Sequence, residues 1–376
     1  MDGPFEFDES NPILLVKHAV RGKCHPERWP AAPKESEGGQ AVVNKNFEHK
    51  FPDMLTIEAK DAMSPDEFQK QVEMPSYPAL LRGFMEDWNC YGSTKNGEVN
   101  KLEWTLQKIC DRDFVNLVHF QCGVDADGVD VTLNLKEYLE LYVNDCNDRN
   151  PLLIFDAVVL EHEDCDLIFD VDIPSIFSQD DYLQYIQPLS RPPYQWFVHG
   201  VANAGSPIHQ DPMGTHAWNA LCSGKTLWVL FHPSTPAELL PTKSLDDGDI
   251  DDDDLWEDLY SWIHIDLPGI RREVKAYFDS RAAEEEDKNT GGGNEVEWWY
   301  REVVQMPGEI VFVPSGWYQA SINLEESTAI TQNYCSRTNL GKCYSMMADK
   351  EVATQWYAAM NMYDREQISR MGCRYC

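Results

Sequence analysis

The chain has 376 residues, of which 43% are hydrophobic and 11% aromatic, as expected for a folded globular protein with a large core. Its 64 acidic and 31 basic residues give a formal charge of −33, which disfavours direct binding of nucleic acid and favours a basic protein as partner. The N-terminus lacks the regions of a signal peptide, no apolar run is long enough to span a membrane, and the 11 cysteines are scattered. We therefore expect a nuclear or cytoplasmic protein with reduced thiols, not a secreted one.

The first half of the chain mixes helices and strands. Residues 1–60 are predicted to form an N-terminal arm that packs on the domain surface, because prolines and a Gly-Gly pair interrupt them. A helix is predicted to begin at Ser64, which is followed by a proline in the first turn and by Glu67 three residues on. Further strands are predicted at 77–84, 115–120, 129–135 and 151–155, and helices at 102–110 and 135–142.

The second half is richer in strands. Strands are predicted at 196–198, 226–231, 309–313 and 327–333, within one domain that spans residues 61–345. Two acidic segments, 246–258 and 282–294, are predicted to be solvated loops inserted into this domain, with a helical piece between them. Residues 346–376 are predicted to form a C-terminal helix. The predicted fold class is mainly β with helical decoration, as a β-barrel or sandwich.

The motif that carries chemistry lies in residues 206–219. His209 and Asp211 are two residues apart, so their side chains lie on the same face of an extended strand. An imidazole and a carboxylate placed in this way are two of the three ligands of a 2-His-1-carboxylate iron site. The third ligand should come from a distant strand. The stretch that would supply it, residues 311–319, ends in Gln319 rather than in a histidine.

Four separated motifs, at 191–197, 209–221, 307–317 and 329–333, resemble the Jumonji-C family of Fe(II)- and 2-oxoglutarate-dependent oxygenases. They are most similar to the arginine-demethylase and lysyl-hydroxylase branch, once described as a phosphatidylserine receptor. The resemblance covers residues 64–339 and implies a double-stranded β-helix of the cupin (jelly-roll) type, with Fe(II) and 2-oxoglutarate as cofactors. It also implies basic partner proteins, such as those of the RNA-processing machinery.

The resemblance assigns His209 and Asp211 to the metal, and Asn219 and Thr331 to the cosubstrate pocket. Gln319 stands where the branch has its second histidine. A glutamine amide oxygen can contact a metal, but it is a neutral and weak donor, whereas iron favours imidazole. The metal site is therefore expected to be degenerate.

Two further positions depart from the branch on the cosubstrate side. Thr226 stands where the branch has a lysine that binds the far carboxylate of 2-oxoglutarate, and Leu153 stands where it has a tyrosine. Lys225 is the neighbouring residue and, on a strand, points to the opposite face. A buried carboxylate without its cation costs about 3–5 kcal/mol, and a lost hydroxyl contact costs about 1.5–3 kcal/mol more.

Three interpretations follow. The first is a pseudo-oxygenase that binds a basic protein partner, with weak or lost binding of Fe(II) and 2-oxoglutarate and no catalytic residue. The alternative is an active protein lysyl hydroxylase or arginine demethylase, with Gln319 or a water as the unusual ligand. The third keeps the cupin site for another metal without 2-oxoglutarate. His199, His216 and His232 are interpreted as core or surface histidines rather than as replacement ligands.

Overall fold

The computed structural model of the protein describes residues 12–20, 54–91, 104–124, 127–143, 151–240, 259–286 and 299–370. Its strands within these ranges are β1 Leu55–Glu58, β2 Ala79–Arg82, β3 Phe120–Val124, β4 Asp130–Leu133, β5 Leu153–Asp156, β6 Gln195–Gly200, β7 Gly205–Gln210, β8 His216–Ser223, β9 Thr226–Phe231, β10 Tyr300–Gln305, β11 Glu309–Val313, β12 Tyr318–Asn323 and β13 Ser327–Tyr334.

The helices in the same residues are Pro12–Val20, Pro65–Phe68, Leu106–Cys110, Leu135–Tyr138, Ser175–Ser178, Leu259–Ser261, Leu267–Glu286, Leu340–Met346, Lys350–Ala359 and Met362–Arg370. Wider turns of π-helix at Gln69–Glu73, Leu139–Val143 and Trp262–Asp266 continue three of them. None of the described helices is both long and apolar enough to cross a membrane.

The strands form two main sheets. A seven-stranded sheet has the order β1-β2-β11-β8-β13-β6-β5, and a four-stranded sheet has the order β10-β9-β12-β7. β1 and β2 are parallel, whereas all other neighbours in these sheets are antiparallel. A hydrophobic cluster with Val311 on the large sheet and Leu230 on the small sheet packs part of the space between them. The predicted cupin-type double-stranded β-helix is confirmed.

Helices and loops cover the outer faces of both sheets. Phe177 stacks on Trp218 of β8, with ring centroids 5.7 Å apart, and covers part of the outer face of the large sheet. Helix Leu267–Glu286 places Val274 and Phe278 in one cluster with Val229 of β9 on the small sheet. Because both faces are covered, β8, β9 and β11 are buried along their whole length, and β9 and β11 are accordingly apolar after their first residue.

Several predicted elements are found where local chemistry dictates them. Ser64 and Glu67 form the predicted capping box, in which each side chain bonds the backbone of the other residue. The strands predicted at 226–231 and 309–313 have the observed bounds. The strand predicted at 115–120 is wrong. Residues Asp113–Asn116 form a 3₁₀ turn, closed by the Asn116 amide on the Asp113 carbonyl, and the strand begins only at Phe120.

The N-terminal 60 residues differ from the predicted surface arm where the structure describes them. Strand β1 extends the large sheet, and helix Pro12–Val20 places Ile13, 1% exposed, in the main core. Of the predicted acidic loops, 246–258 and 287–294 lie outside the described residues. Residues 282–286 belong to helix Leu267–Glu286 rather than to a loop, since alanine and glutamate are strong helix formers.

The single C-terminal helix predicted for 346–376 is wrong. Two helices, Lys350–Ala359 and Met362–Arg370, occupy the described part of this segment. The break lies at Asn361, whose side chain accepts a 3.0 Å hydrogen bond from the Asp364 backbone and caps the second helix. Trp356 anchors the pair to the domain, because its Nε1 donates to the Tyr182 carbonyl at 2.9 Å.

Candidate functional site

A cavity of about 260 Å³ lies between the two sheets. It brings together seven of the eight residues that the sequence singles out, which are Leu153, His209, Asp211, Asn219, Thr226, Gln319 and Thr331. The eighth, Lys225, does not line it. The cavity wall also contains Phe155, Trp196 and Trp228, so a mainly apolar and aromatic surface surrounds a few polar groups.

Strand β7, at the edge of the small sheet, presents His209 to the cavity, and Asp211 follows directly after the strand ends. Strand β12 runs antiparallel to β7 and places Gln319 opposite His209. This register brings Gln319 to the position where a third metal ligand would have to stand. The side chain of Gln319 is only 4% exposed, so its amide must find its partners inside the cavity.

The partner of Gln319 is Asp211. Its Nε2 donates to Oδ2 of Asp211 at 2.6 Å, and since a carboxylate only accepts, the NH₂ side of the amide faces it. Burial raises the pKa of Asp211, whereas the nearby His209 and hydrogen bonds from Gln319 and Asn333 oppose this rise. The carboxylate of the metal motif is thus held by side-chain amides.

His209 has the orientation of a ligand. Its Nδ1 lies 2.7 Å from the carbonyl oxygen of Pro207, which can only accept a hydrogen bond, so Nδ1 carries the proton. In this tautomer of the imidazole the lone pair lies on Nε2. A backbone carbonyl that fixes the tautomer in this way is the usual arrangement around metal-binding histidines.

The cosubstrate side of the cavity has its hydroxyl groups already in use. Thr226 donates from Oγ1 to Asn323 Oδ1 at 3.0 Å, because the Asn323 amide nitrogen is itself occupied by the Gly200 carbonyl. Thr331 donates from Oγ1 to the Trp218 carbonyl at 2.9 Å. Neither threonine therefore has a hydroxyl proton left for a ligand carboxylate.

No cation replaces the missing lysine. Lys225 lies outside the cavity, where its Nζ is 2.7 Å from Glu325 Oε1, and the Glu325 side chain is 56% exposed. Leu153 adds only apolar surface. Among the described residues that line the cavity there is no lysine, arginine or tyrosine, and His209 and Asp211 are its only ionisable side chains.

The cofactors that the resemblance implies do not fit this set of residues. The ligands available to Fe(II) would be an imidazole, a carboxylate and an amide that is already hydrogen-bonded to that carboxylate. In the part of the chain that the structure describes, no group of three or more His, Cys, Asp and Glu side chains is placed to hold a metal. Among the described residues of the cavity wall, no cation is placed to pair with the far carboxylate of 2-oxoglutarate.

The other histidines take structural positions. Burial lowers the pKa of both His199 and His216 to about 3, so both rings are neutral. His216 accepts a hydrogen bond from the Ser315 backbone at 2.9 Å, and His199 lies 2.9 Å from the Thr328 hydroxyl. The ring of His232 packs edge-on against Trp317. None of the three lines the cavity.

Asn333 is the contact of Asp211 that the sequence interpretation missed. It is 5% exposed, lies on β13 and lines the same cavity as Thr331. A signal for it was present, because Asn333 ends the motif 329–333 and stands two residues after Thr331. Strand alternation alone places both side chains on one face.

Comparison with known proteins identifies the family, although no protein-family model matches the chain. The bifunctional arginine demethylase and lysyl-hydroxylase psr-1 of Caenorhabditis briggsae is 32% identical over 284 residues, which are 74% of this chain and 61% of that protein. The chain belongs to the Jumonji-C family. The similarity of this Jumonji-C protein to psr-1 also confirms the predicted branch. This chain spans about three fifths of the length of the psr-1 relatives that it matches.

More distant relatives of this Jumonji-C protein have related names. Lysine-specific demethylase JMJ21 of Arabidopsis thaliana is 28% identical over 286 residues, or 76% of this chain and 26% of that protein. The 2-oxoglutarate and iron-dependent oxygenase JMJD4 of Gallus gallus is 25% identical over 182 residues, or 48% of this chain and 36% of that protein. Iron and 2-oxoglutarate are therefore cofactors of the family.

Proposed function

We propose that this Jumonji-C protein has lost its oxygenase chemistry and acts as a binding module for a basic protein partner. The observation that carries this proposal is the 2.6 Å hydrogen bond from Gln319 to Asp211. It occupies a carboxylate oxygen of the metal motif and turns the NH₂ group, which has no lone pair to offer, toward the metal position. Two ligands of a facial triad then remain, which is a weak site for iron.

The cosubstrate side supports the same proposal. A bound 2-oxoglutarate would place its far carboxylate near Thr226 and Leu153, neither of which can pair with a charge. An unpaired buried carboxylate costs about 3–5 kcal/mol, which weakens binding by roughly two to four orders of magnitude. Weak metal binding adds to this loss, because the near end of the cosubstrate is normally anchored on the metal.

A basic partner is proposed from the charge. With a formal charge of −33, the protein attracts positively charged surfaces and speeds their association at low ionic strength. The more specific class, arginine- and lysine-rich proteins of the RNA-processing machinery, is proposed from the resemblance to the psr-1 branch. A nuclear location would follow from such a partner.

One observation favours a second candidate function, an active protein lysyl hydroxylase or arginine demethylase. His209 presents Nε2 as a lone pair beside Asp211, and the relatives are named as oxygenases. This function needs the Gln319 amide to turn over and offer its oxygen to the metal. The turn would break the bond to Asp211 and bring two acceptors face to face unless a metal lies between them.

The proposed function is tested by metal content and by partner binding on the same preparation. We expect the purified protein to contain iron far below one equivalent after mild chelation. We also expect an octa-arginine peptide to bind and an octa-glutamate peptide not to bind, with an affinity that falls as salt rises. A stoichiometric iron that survives chelation, or equal binding of both peptides, would count against the proposal.

A further inference from the structure

We infer that a second, outer cavity of this protein binds an uncharged aromatic small molecule that carries a hydroxyl or carbonyl group. The outer cavity has a volume of about 670 Å³ and is lined by residues of β5 and β7, which are edge strands of the large and the small sheet. It adjoins the inner cavity, the one of about 260 Å³ between the sheets, but His209, Asp211 and Gln319 do not line it. The inference therefore goes beyond the proposed function and does not depend on whether the inner site takes a metal.

The first argument is the charge of the cavity wall. Charged residues make up 25% of the chain, yet the described residues that line the outer cavity include no Asp, Glu, Lys, Arg or His. A charged ligand that leaves water needs an opposite charge or several hydrogen bonds, and this wall has no charge to offer. An uncharged ligand is therefore complementary to the outer cavity, whereas a cation or an anion is not.

The second argument is a pair of stacked rings. Phe155 of β5 and Trp196 of β6 have ring centroids 5.3 Å apart and an interplanar angle of 28°. Both residues line the outer cavity, and Phe155 remains 37% exposed, so the protein does not cover its ring completely. An aromatic ligand can extend this stack, because ring pairs gain more free energy than the burial of apolar area alone provides.

The third argument is the polar groups of the same wall. In the described part of the chain, the hydroxyl of Ser206 makes no hydrogen bond. Gln121 donates from Nε2 to Asp130 Oδ1 at 2.6 Å, and no described residue donates to its Oε1. A hydroxyl can donate and accept and an amide oxygen can accept, so the two groups suit an alcohol or a carbonyl compound. A few polar groups in an apolar wall are typical of small-molecule sites.

The fourth argument favours a small molecule over a peptide. Each peptide residue brings a backbone N–H and a C=O group, and both need partners when they are enclosed. Four residues of the outer cavity have no backbone N–H to offer, namely Pro192, Pro193, Pro207 and Pro212. Pro207 lies on edge strand β7, where a proline also opposes the addition of a further strand.

The fifth argument is size. Cavities that bind small organic molecules usually measure about 300–1,000 Å³. The outer cavity, at about 670 Å³, is in the middle of this range and has room for two fused rings. It shares Leu153, Phe155 and Trp196 with the inner cavity, so the stacked rings lie at the boundary between the two.

The experiment uses the full chain and four probes with the same ring frame. The uncharged aromatic alcohol is 2-naphthol, the anion is 2-naphthoate, the cation is 2-naphthylmethylammonium, and decahydro-2-naphthol is the alcohol without aromatic rings. Calorimetry measures the affinity of each probe. We expect 2-naphthol to bind at least about ten-fold more tightly than either ion. It should also bind about two- to ten-fold more tightly than the saturated alcohol.

The comparison with the cation is the most informative one. The formal charge of −33 attracts cations to the protein as a whole and repels anions. A weaker binding of the anion could therefore arise from this overall field. A preference for 2-naphthol over the cation acts against the field, so it must come from the uncharged wall of the outer cavity.

Two variants test the location, and a third is the control. Ala157 lines the outer cavity but not the inner one, so Ala157→Trp should fill the outer cavity and lower the affinity for 2-naphthol about ten-fold or more. Phe155→Ala removes one ring of the stack and should lower the affinity about two- to ten-fold. Phe169→Ala removes a ring that is 80% exposed and lines neither cavity, so it should leave the affinity unchanged. Circular dichroism checks that each variant is folded.

Three results would overturn the inference. The first is a cation or an anion that binds as tightly as 2-naphthol. The second is tighter binding of the blocked peptide acetyl-Gly-Trp-Gly-amide, which would make the outer cavity a peptide groove. The third is an unchanged affinity for 2-naphthol in folded Phe155→Ala, which carries this test even if Ala157→Trp does not fold. The proposed function would stand in all three cases, because it is tested by metal content and by basic peptides.

Discussion

The amide of Gln319 and the carboxylate of Asp211 are joined by a 2.6 Å hydrogen bond between two residues that are 108 positions apart in the chain. The bond connects β12 with the end of β7, the two strands that would have to supply all three ligands of a facial triad. It gives the carboxylate a neutral partner that belongs to the protein. The site is therefore stabilised without a metal, and a metal that binds there must displace this hydrogen bond.

Gln319→His should restore metal binding. The imidazole would replace the amide opposite His209 and complete a 2-His-1-carboxylate set. We expect Fe(II), or Co(II) as an air-stable probe, to bind about ten-fold or more tightly than in the unmodified protein, equivalent to about 1.4 kcal/mol. Gln210→His is the matched control, because it adds an imidazole next to His209 on the opposite face of β7. Equal tightening in both variants would show that the added histidine acts non-specifically.

Thr226→Lys and Leu153→Tyr should restore 2-oxoglutarate binding, but only together with Gln319→His. The lysine supplies the missing counter-charge and the metal anchors the other end, so each change is insufficient alone. Pairing the buried carboxylate is worth about 3–5 kcal/mol, so the triple variant should bind at least a hundred-fold more tightly than Gln319→His alone. Thr226→Met in the same background matches the length without the charge. If Thr226→Met raises the affinity for 2-oxoglutarate as much as Thr226→Lys does, the pairing explanation is wrong.

Strand alternation, which needs only the sequence, was enough to place several of these residues. His209 and Asp211 reach one cavity, and Thr226 and Lys225 separate into inward and outward positions, because a strand has a side-chain period of two. The strands at 226–231 and 309–313 were equally clear, since both are long apolar runs with turn residues beside them.

Other features depend on contacts between distant residues. The partner of Gln319 is set by the register of β12 on β7, which no local pattern in either strand encodes. The segment at 115–120 has strand-like composition, but the burial of Phe114 and Val115 side by side selects a turn. The sequence predicts a surface arm for these residues, whereas helix Pro12–Val20 packs on the core and strand β1 pairs with β2. Both contacts are made with residues distant in the sequence, so the local pattern does not reveal them.

Gln319→Ala should destabilise the fold. It removes a donor from a half-buried carboxylate, and hydrogen bonds to charged groups contribute about 1.5–3 kcal/mol. Ser321→Ala, on the same strand and lining the same cavity, should change the free energy of unfolding by no more than about 0.5 kcal/mol. Urea unfolding at neutral pH with EDTA present measures both. A loss in Gln319→Ala no larger than in the control would mean that the bond contributes nothing to stability.

Asp181→Asn should change how stability depends on pH. Burial raises the pKa of Asp181 to about 6 from 3.8, although backbone hydrogen bonds from Cys335 and Leu183 and the charge of Arg191 act in the opposite direction. The folded state therefore holds its proton more tightly than the unfolded chain does. Its contribution to stability is fully present below about pH 4 and is lost as the pH rises to about 6.

Asparagine keeps the acceptor oxygen for the two backbone donors but cannot ionise. Between pH 4 and 6.5 the unmodified protein should lose about 2 kcal/mol of stability relative to the variant, because one pKa unit corresponds to 1.36 kcal/mol and part of the shift lies outside this range. Denaturant unfolding at several pH values in this range gives the difference between the two proteins. Parallel stability curves would show that Asp181 does not titrate in this range.

The most direct test of the lost oxygenase chemistry is 2-oxoglutarate turnover by the unmodified protein. Purified full-length protein is supplied with Fe(II), ascorbate and 2-oxoglutarate, with and without an arginine- and lysine-rich peptide, and succinate is measured beside a His209→Ala variant. We expect succinate at the level of the protein-free control in all cases, with no difference between the two proteins. Succinate formation by the unmodified protein that His209→Ala abolishes would contradict the degenerate site and establish an active oxygenase.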